Sequence, residues 1–199
     1  MTDNLDAVVL AGGAATRMGG ADKPGLTVGA RTLLEHVVGA VRDHAPHARV
    51  TVVGPPRERP RARYVREDPP GAGPVPALRA GLPAVRAPRV ALLAADLPYL
   101  AAHHLGALCD ALASGDEGAL GAVFVDTGGR EQWLTGVWDT RALRAALADY
   151  AGRSLYGLLG PLDPVRVPLT GAPEGFDVDT PEELERARAA RTPGHPGPS

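Results

Sequence analysis

The chain has 199 residues, of which 44% are hydrophobic and 22% are charged, a composition typical of a single soluble globular domain. The formal net charge of −2 excludes a general electrostatic attraction to nucleic acid or to an anionic membrane, so we expect neither as a partner. A single cysteine, Cys109, excludes an intramolecular disulfide. Asp3 and Asp6 lie where the basic part of a secretory signal peptide would be, and we therefore expect a cytoplasmic protein.

The first predicted element is a buried strand, Ala7 to Ala11, which runs into a glycine loop. The loop carries a glycine pair at Gly12-Gly13, a second pair at residues 19–20, and two cations, Arg17 and Lys23. Glycine backbone N–H groups together with two positive charges suit a bound polyphosphate. The spacing matches neither the Walker A loop nor the dinucleotide-binding loop, which excludes both of these classes of phosphate site.

Lys23 is the only lysine among 21 basic residues. A lysine carries a compact charge on a flexible stem, whereas an arginine carries a broad planar fork. A site that requires the smaller ammonium group would keep its lysine in a chain that otherwise uses arginine. The alternative is that Lys23 is an ordinary solvated residue of a surface loop.

Hydrophobic spacing then predicts alternating strands and helices over the rest of the chain. The predicted helices cover residues 31–44, 76–85, 103–113, 140–150 and 154–159, with a last helix beginning at residue 181. The predicted strands after the first cover residues 49–53, 63–66, 89–95, 119–125, 134–138 and 164–169. This order predicts a three-layer α/β sandwich with a mostly parallel central sheet, formed by residues 1–190 as one domain. Residues 191–199 are rich in proline and glycine, and we expect a disordered tail there.

Two polar segments follow predicted strands in the first half of the chain. The segment Arg57–Arg66 contains five arginines, which either recruit an anionic substrate or form a solvated connection. Asp68 either accepts a hydrogen bond from a ribose hydroxyl or a base, or forms a turn before Pro69.

Residues 89–95 give the clearest apolar pattern of a buried strand in the chain, and they lead directly into Asp96. A carboxylate at the C-terminal end of a central parallel strand lies at the crevice where open α/β sheets bind ligands. Aspartate is a hard oxygen donor that suits Mg²⁺ shared with phosphates. The alternative is that Asp96 caps a helix or forms a turn. Asp177 and Asp179 precede the last helix and are further candidates to face the cleft, with Asp179 or Thr180 as the helix cap.

These motifs together resemble a known family. Leu10-Ala11-Gly12-Gly13 followed by Arg17-Met18-Gly19-Gly20 and Asp22-Lys23 resembles the signature of the MobA-like nucleotidyltransferases. Gly73-Pro74, Asp96-Leu97-Pro98 and Asp179–Leu184 follow in the order that the family shows. Within the family, the chain is similar from end to end to the molybdenum cofactor guanylyltransferases. The resemblance implies the Rossmann-like fold of the nucleotide-diphospho-sugar transferases.

The resemblance also implies a reaction and its partners. GMP would pass from GTP to the terminal phosphate of molybdopterin in its molybdenum complex. Pyrophosphate would leave, and the guanine dinucleotide form of the molybdenum cofactor would result. A transient molybdopterin-delivery protein is a further partner that the family implies. The chemistry agrees with the residues, because in-line displacement between anions needs positioning and charge neutralisation more than a protein nucleophile.

The resemblance assigns roles to particular positions. The nucleotide contacts that it implies are Leu10, Ala11, Gly12, Gly13, Lys23 and Asp68. It also implies that Arg17 neutralises the triphosphate, that Asp96 carries Mg²⁺, and that Asp179 helps to hold the metal.

Two departures from the family pattern leave alternatives open. Ala77 stands where the family loop often has glycine, and Trp133 follows Gln132 where the family often has proline. Trp133 either stacks on a pterin or covers the sheet. A related nucleotidyltransferase that uses CTP or another phosphorylated acceptor therefore remains an alternative. A nucleotide-sensing protein without turnover is a third hypothesis, which the presence of Lys23 and Asp96 opposes.

Overall fold

The structure, a computed structural model, describes residues 4–12, 22–115, 118–169, 178 and 180–190. Its strands are β1 (Leu5–Leu10), β2 (Thr27–Val28), β3 (Arg31–Thr32), β4 (Val50–Val53), β5 (Arg63–Val65), β6 (Arg89–Ala94), β7 (Gly121–Val125), β8 (Glu131–Asp139) and β9 (Val165–Pro168). Its α-helices are α1 (Leu33–His44), α2 (Pro74–Gly81), α3 (Ala102–Ser114), α4 (Thr140–Asp149), α5 (Leu155–Leu159) and α6 (Pro181–Ala190). Short 3-10 turns cover Lys23–Gly25, Leu82–Ala84 and Gly160–Leu162.

Seven strands form one sheet in the order β5-β4-β1-β6-β8-β7-β9. Every neighbouring pair is parallel except the two pairs that contain β8, which is antiparallel to both β6 and β7. The predicted, mostly parallel sheet is therefore confirmed. β7 and β8 form an antiparallel pair, and β9 lies at one edge of the sheet.

Helices cover both faces of this sheet. Side chains alternate along the central strands, so that Val9 and Leu93 face one layer while Val8 and Leu92 face the other. Helices α1 and α3 bury their leucines and valines in the first layer, and α2, α4 and α5 bury theirs in the second. The three-layer sandwich predicted from the sequence is therefore confirmed.

A small hairpin of β2 and β3 was not predicted, because two-residue strands are too short to show an alternating pattern. It carries Val28, which lies in a third apolar cluster with Leu33, Val178 and two residues of α6. His36 of α1 contacts the carbonyl oxygen of Val28 through Nε2 at 2.9 Å. The hairpin thus joins the start of α1 to the last helix.

Capping residues explain where the helices begin. The hydroxyl of Thr32 accepts a hydrogen bond from the backbone N–H of Glu35, whose carboxylate accepts one from the N–H of Thr32. The helix predicted from residue 31 therefore starts at Leu33. Thr180 and Glu183 form the same reciprocal pair at α6, which confirms Thr180 as the predicted cap. Pro74 begins α2 two residues before the predicted start, since the first helical position needs no N–H donor.

One buried carboxylate has a purely structural role. Asp6 is 5% exposed, and its two oxygens accept backbone hydrogen bonds from Arg49 (2.8 Å), Arg86 (2.6 Å) and Ala87 (3.0 Å). These contacts tie β1 to the segments that precede β4 and β6. Of the helices in the described ranges, none is long and apolar enough to cross a membrane.

Candidate active site

The C-terminal ends of β1, β4, β5 and β6 meet at one edge of the sheet. Backbone hydrogen bonds continue past the strand ends, from Ala11 to the carbonyl of Val53 (2.8 Å) and from Gly54 to the carbonyl of Val65 (2.9 Å). A Cβ on Gly54 would lie 2.9 Å from the carbonyl oxygen of Ala11, so only glycine fits there. The loops that leave these strands are therefore held close together at the crevice expected of a parallel α/β sheet.

Two predicted site residues, Lys23 and Asp96, meet at this edge. The ammonium nitrogen of Lys23 lies 2.5 Å from Oδ2 of Asp96, and the two side chains are 13% and 20% exposed. Oδ1 of Asp96 is buried and has no hydrogen-bond partner among the residues that the structure describes. The interpretation of Lys23 as a solvated loop residue is therefore wrong, because its charge is paired and largely shielded from water.

The segment before α6 reaches the same place. The backbone N–H of Val178 donates to the carbonyl oxygen of Asp96 at 3.2 Å, and Val178 itself is 1% exposed. Asp179, which was predicted to help hold a metal, lies outside the described residues, as do Arg17, Gly13 and Asp177. Their predicted roles stay predictions.

Arg57, the first arginine of the basic segment 57–66, forms a bidentate ion pair with Asp22. Its Nη1 donates to Oδ2 of Asp22 at 2.6 Å, and its Nη2 donates to Oδ1. The guanidinium group holds the pKa of Asp22 below its ordinary value. A Cβ on Gly25 would clash with the Asp22 carboxylate. This pair fixes the residue just before Lys23 to the loop that follows β4.

The first predicted loop begins on the crevice side of β1. Of its predicted nucleotide contacts, Ala11 is buried, whereas Leu10 and Gly12 are partly exposed. Gly12 lies against the carboxylate of Glu67, since a Cβ at Gly12 would be 3.0 Å from Oε1 of that side chain. The absence of a side chain at Gly12 thus allows a residue from beyond β5 to approach the loop.

Glu67 is a feature of the site that the sequence analysis did not single out. It is 5% exposed, and its Oε1 accepts a hydrogen bond from the backbone N–H of Gly71 at 2.9 Å. Its Oε2 is buried and accepts no hydrogen bond from the described part of the chain. Glu67 stands two residues beyond the end of β5, just as Asp96 stands two residues beyond the end of β6. Asp96 was predicted as a site residue because it is an acidic residue just beyond the C-terminal end of a strand, and the same criterion would have identified Glu67.

Asp68, the predicted second nucleotide contact, lies on the outside of the same turn. Its side chain is exposed, whereas the neighbouring Glu67 is buried. The turn continues through Gly71, at φ 77°, and Gly73, at φ 110°, which precedes Pro74 at the start of α2. Asp68 is exposed to solvent, and its contact with a nucleotide stays a prediction.

The two departures from the family pattern pack against the second layer of the core, where Ala77 is buried and Trp133 is partly buried. Trp133 stacks on Trp138, with ring centroids 6.3 Å apart and an interplanar angle of 22°, and its edge meets Tyr156 at 5.9 Å. A register irregularity in β7 between Val123 and Val125 accompanies this arrangement. These contacts favour the interpretation that Trp133 covers the sheet. Ala77 is 5% exposed within α2.

The site was also tested for its fit to Mg²⁺. Within the described ranges, three or more His, Cys, Asp or Glu side chains nowhere come together in a group that could hold a metal ion. Mg²⁺ bound with a nucleotide, however, commonly uses one or two protein carboxylates and takes its other ligands from phosphate and water. The buried, unpartnered Oδ1 of Asp96 fits that requirement.

A parallel sheet that gathers a glycine loop, a lysine and an aspartate at its strand ends defines a nucleotide-binding α/β protein. Residues 7–165 match the family model of the MobA-like NTP transferase domain. The chain belongs to this family, and the protein is a nucleotidyltransferase. A molybdenum cofactor guanylyltransferase from a Bradyrhizobium species is 34% identical over 154 residues, which cover 70% of this chain and 68% of that protein.

Solved structures share the fold over nearly the whole chain. Molybdopterin-guanine dinucleotide biosynthesis protein A from Archaeoglobus fulgidus superimposes with a TM-score of 0.68 at 18% identity, covering 93% of this chain and 97% of that one. A 4-diphosphocytidyl-2C-methyl-D-erythritol synthase from Anaerococcus prevotii gives a TM-score of 0.65 at 14% identity, covering 94% and 97%. At these identities the two structures establish the fold alone.

Proposed function

We propose that this nucleotidyltransferase transfers GMP from GTP to molybdopterin in its molybdenum complex, which yields the guanine dinucleotide form of the molybdenum cofactor and releases pyrophosphate. The observation that carries the proposal is the contact of 2.5 Å between Lys23 and Asp96 at the crevice, with Oδ1 of Asp96 left unpartnered. The choice of nucleotide and acceptor is supported by the name of the Bradyrhizobium relative, with which the chain shares 34% identity.

The reaction is a displacement at the α-phosphorus of GTP. An oxygen of the acceptor's terminal phosphate forms the new P–O bond, and the bond from the α-phosphorus to the oxygen bridging the α- and β-phosphates breaks. The electron pair of that bond leaves with pyrophosphate. The acceptor oxygen is already anionic at neutral pH, so no protein group has to remove a proton from it.

Lys23 and Asp96 have separate tasks in this reaction. In the free protein each neutralises the other, which keeps two opposite charges stable in a place largely shielded from water. A bound triphosphate offers the Lys23 ammonium new anionic partners, and the Asp96 carboxylate is then available to Mg²⁺. The metal, when bound, supplies positive charge to the phosphate oxygens and to the departing pyrophosphate. Lys23 adds a fixed positive charge to the same region and holds the triphosphate in position for the displacement.

The decisive assay measures pyrophosphate release from GTP with molybdopterin as acceptor, in wild type and in Asp96→Asn. The variant keeps the shape of the side chain but removes its charge, and we expect at least a hundredfold loss of kcat/KM together with loss of the Mg²⁺ dependence. Asp149→Asn, which changes an exposed aspartate at the end of α4, is the matched control and should behave as wild type. Full activity of Asp96→Asn would overturn the assignment of Asp96.

The alternative nucleotide, CTP, has one observation in its favour. Ala77 replaces a glycine of the family loop, and it lies in α2, the helix that follows the Glu67–Gly73 turn. A thermal-shift panel of GTP, CTP, ATP and UTP with Mg²⁺ separates the two candidates. Stabilisation by CTP alone would reject guanylyl transfer while leaving the enzyme class intact.

A further inference from the structure

The buried carboxylate of Glu67 has one oxygen without a partner. Its Oε1 is engaged by the N–H of Gly71 at 2.9 Å, but Oε2 is buried and accepts no hydrogen bond. A buried polar atom without a partner is costly, and such atoms in a native protein call for an explanation. A ligand that brings a hydrogen-bond donor to Oε2 would supply it.

The position of Glu67 ties it to the nucleotide loop. β4 lies between β5 and β1 in the sheet, so the Glu67 side chain spans the end of β4 to reach Gly12. Gly12 belongs to the loop after β1, which the family signature assigns to the nucleotide. The unpartnered oxygen is therefore next to the segment that a bound nucleotide contacts.

Charge decides which part of the nucleotide lies there. The ammonium of Lys23 is on the β6 side of the loop, where it contacts Asp96. Glu67 and the exposed Asp68 place two carboxyl groups on the β5 side. The Lys23 ammonium attracts the phosphates to the first side, and the buried Glu67 carboxylate repels them at Oε2, so the nucleoside end of the ligand lies toward Glu67.

The chemistry of the carboxylate then selects the donor. A carboxylate accepts hydrogen bonds and donates none. Guanine presents an amino group at C2 next to the N1–H, whereas this amino group is lacking in adenine and in both pyrimidines. Building on the proposed use of GTP, we propose that Oε2 of Glu67 accepts a hydrogen bond from the C2 amino group and thereby makes the enzyme specific for guanine.

The turn that covers Glu67 has room to admit the base. Gly71 and Gly73 have positive φ angles, and nothing lies within 4 Å of the position that a Cβ would take at either residue. The turn therefore has open space beside both glycines, and the base would reach Oε2 from this side while Oε1 keeps its hydrogen bond from the N–H of Gly71.

ITP tests the proposal, because inosine is guanosine without the C2 amino group. Dissociation constants for GTP and ITP with Mg²⁺ are measured by calorimetry on wild type and on Glu67→Gln. In the variant, the Gly71 N–H holds the amide oxygen at the Oε1 position, so the amide NH₂ occupies the Oε2 position and meets the guanine amino group as a second donor. We expect wild type to prefer GTP at least tenfold, and the variant to lose this preference by binding GTP more weakly while ITP binding changes less than twofold.

Equal weakening of both nucleotides by Glu67→Gln would mean that Glu67 only holds the turn, and it would overturn the proposal. Equal affinity of wild type for GTP and ITP would overturn it without any variant, even if Glu67→Gln failed to fold. Glu58→Gln, at an exposed glutamate of the preceding connection, is the control and should keep the wild-type preference. Wild type that binds neither GTP nor ITP would overturn the proposed function as well. Wild type that binds and consumes GTP without discriminating ITP would overturn the role of Glu67 alone.

Discussion

Glu67 and Asp96 lie on opposite sides of β1, each two residues beyond the end of a strand parallel to it, with β4 between β1 and the strand that leads to Glu67. Each carboxylate has one engaged oxygen, on Gly71 or on Lys23, and one buried oxygen without a hydrogen bond. Two buried oxygens without hydrogen bonds at one sheet edge favour a ligand that offers a different chemical group to each of them. A cation such as Mg²⁺ would suit the Asp96 oxygen, and an uncharged hydrogen-bond donor would suit the Glu67 oxygen.

Lys23→Arg should impair the enzyme although it keeps the positive charge. The Lys23 side chain is only 13% exposed and lies 2.5 Å from Asp96, a space suited to a compact ammonium group rather than a planar guanidinium. We expect kcat/KM for GTP to fall at least tenfold, about 1.4 kcal/mol. The measurement is steady-state pyrophosphate release. Arg153→Lys, at an exposed arginine, makes the reverse exchange and should have no effect. Wild-type kinetics in Lys23→Arg would show that Lys23 has no role in nucleotide binding or transfer.

Arg57→Gln should weaken nucleotide binding more than it weakens the fold. The bidentate pair with Asp22 fixes the residue before Lys23, while Arg57 lies in a surface connection. We expect KM for GTP to rise severalfold with little change in kcat and in the thermal midpoint. Arg63→Gln, at an exposed arginine of the same basic segment, is the matched control. An unchanged KM in Arg57→Gln would show that the pair does not position the loop.

The same pair predicts a dependence on pH. Arg57 lowers the pKa of Asp22 from its ordinary value of 3.8, so the pair is complete above that value and is lost as the pH falls through the lowered pKa. In Arg57→Gln the pKa of Asp22 should return toward 3.8. Carbon-detected NMR titration of the Asp22 carboxyl group measures this directly, and an identical titration curve in both proteins would contradict the assignment.

Much of the site follows from strand-end position, and the remainder depends on tertiary contacts. A hydrophobic run that ends in a polar residue identifies Asp96, and the solitary lysine identifies Lys23. Glu67 also follows the end of a strand, but it stands in a run of turn-forming residues, where the sequence predicts an exposed side chain. Its burial depends on a tertiary contact, the packing of Gly12 against its carboxylate. The distance between Lys23 and Asp96, 73 positions apart in the sequence, depends on how β1 pairs with β6.

His104 should make the fold less stable in mild acid. Its Nδ1 accepts a hydrogen bond from the backbone N–H of Ala101 at 3.0 Å, and burial together with the neighbouring His103 lowers its pKa from 6.5 to about 4. Between these values the unfolded chain binds a proton that the folded protein does not, so the free energy of unfolding falls as the pH drops from 6.5 toward 4. The contribution is at most about 3 kcal/mol, since each pKa unit corresponds to about 1.4 kcal/mol.

His104→Gln isolates this effect, because glutamine at the third position of a helix can accept the same backbone N–H without titrating. Urea unfolding at pH 7.0, 6.0, 5.0 and 4.5 gives the free energy of unfolding for both proteins. We expect a shallower loss of stability in the variant, whereas parallel curves would mean that other groups govern the acid sensitivity. His47→Gln, at an exposed histidine beyond the end of α1, serves as the control.

Asp6→Asn should destabilise the protein without changing its catalytic constants. The two carboxylate oxygens accept three backbone N–H groups, and an asparagine NH₂ would face at least one of them as a second donor. We expect a loss of roughly 2 kcal/mol in the free energy of unfolding, because a buried donor then lacks its acceptor. Asp126 is the matched control: its Oδ1 accepts from Gly128 and Arg130 in a turn open to solvent. Asp126→Asn keeps both of these bonds with its amide oxygen and loses only the bond that Gln132 Nε2 donates to Oδ2 at 3.0 Å, which water can replace. Its cost should therefore stay at about 0.5 kcal/mol. Equal losses in the two variants, measured by urea unfolding at pH 7, would show that burial of Asp6 does not set the cost.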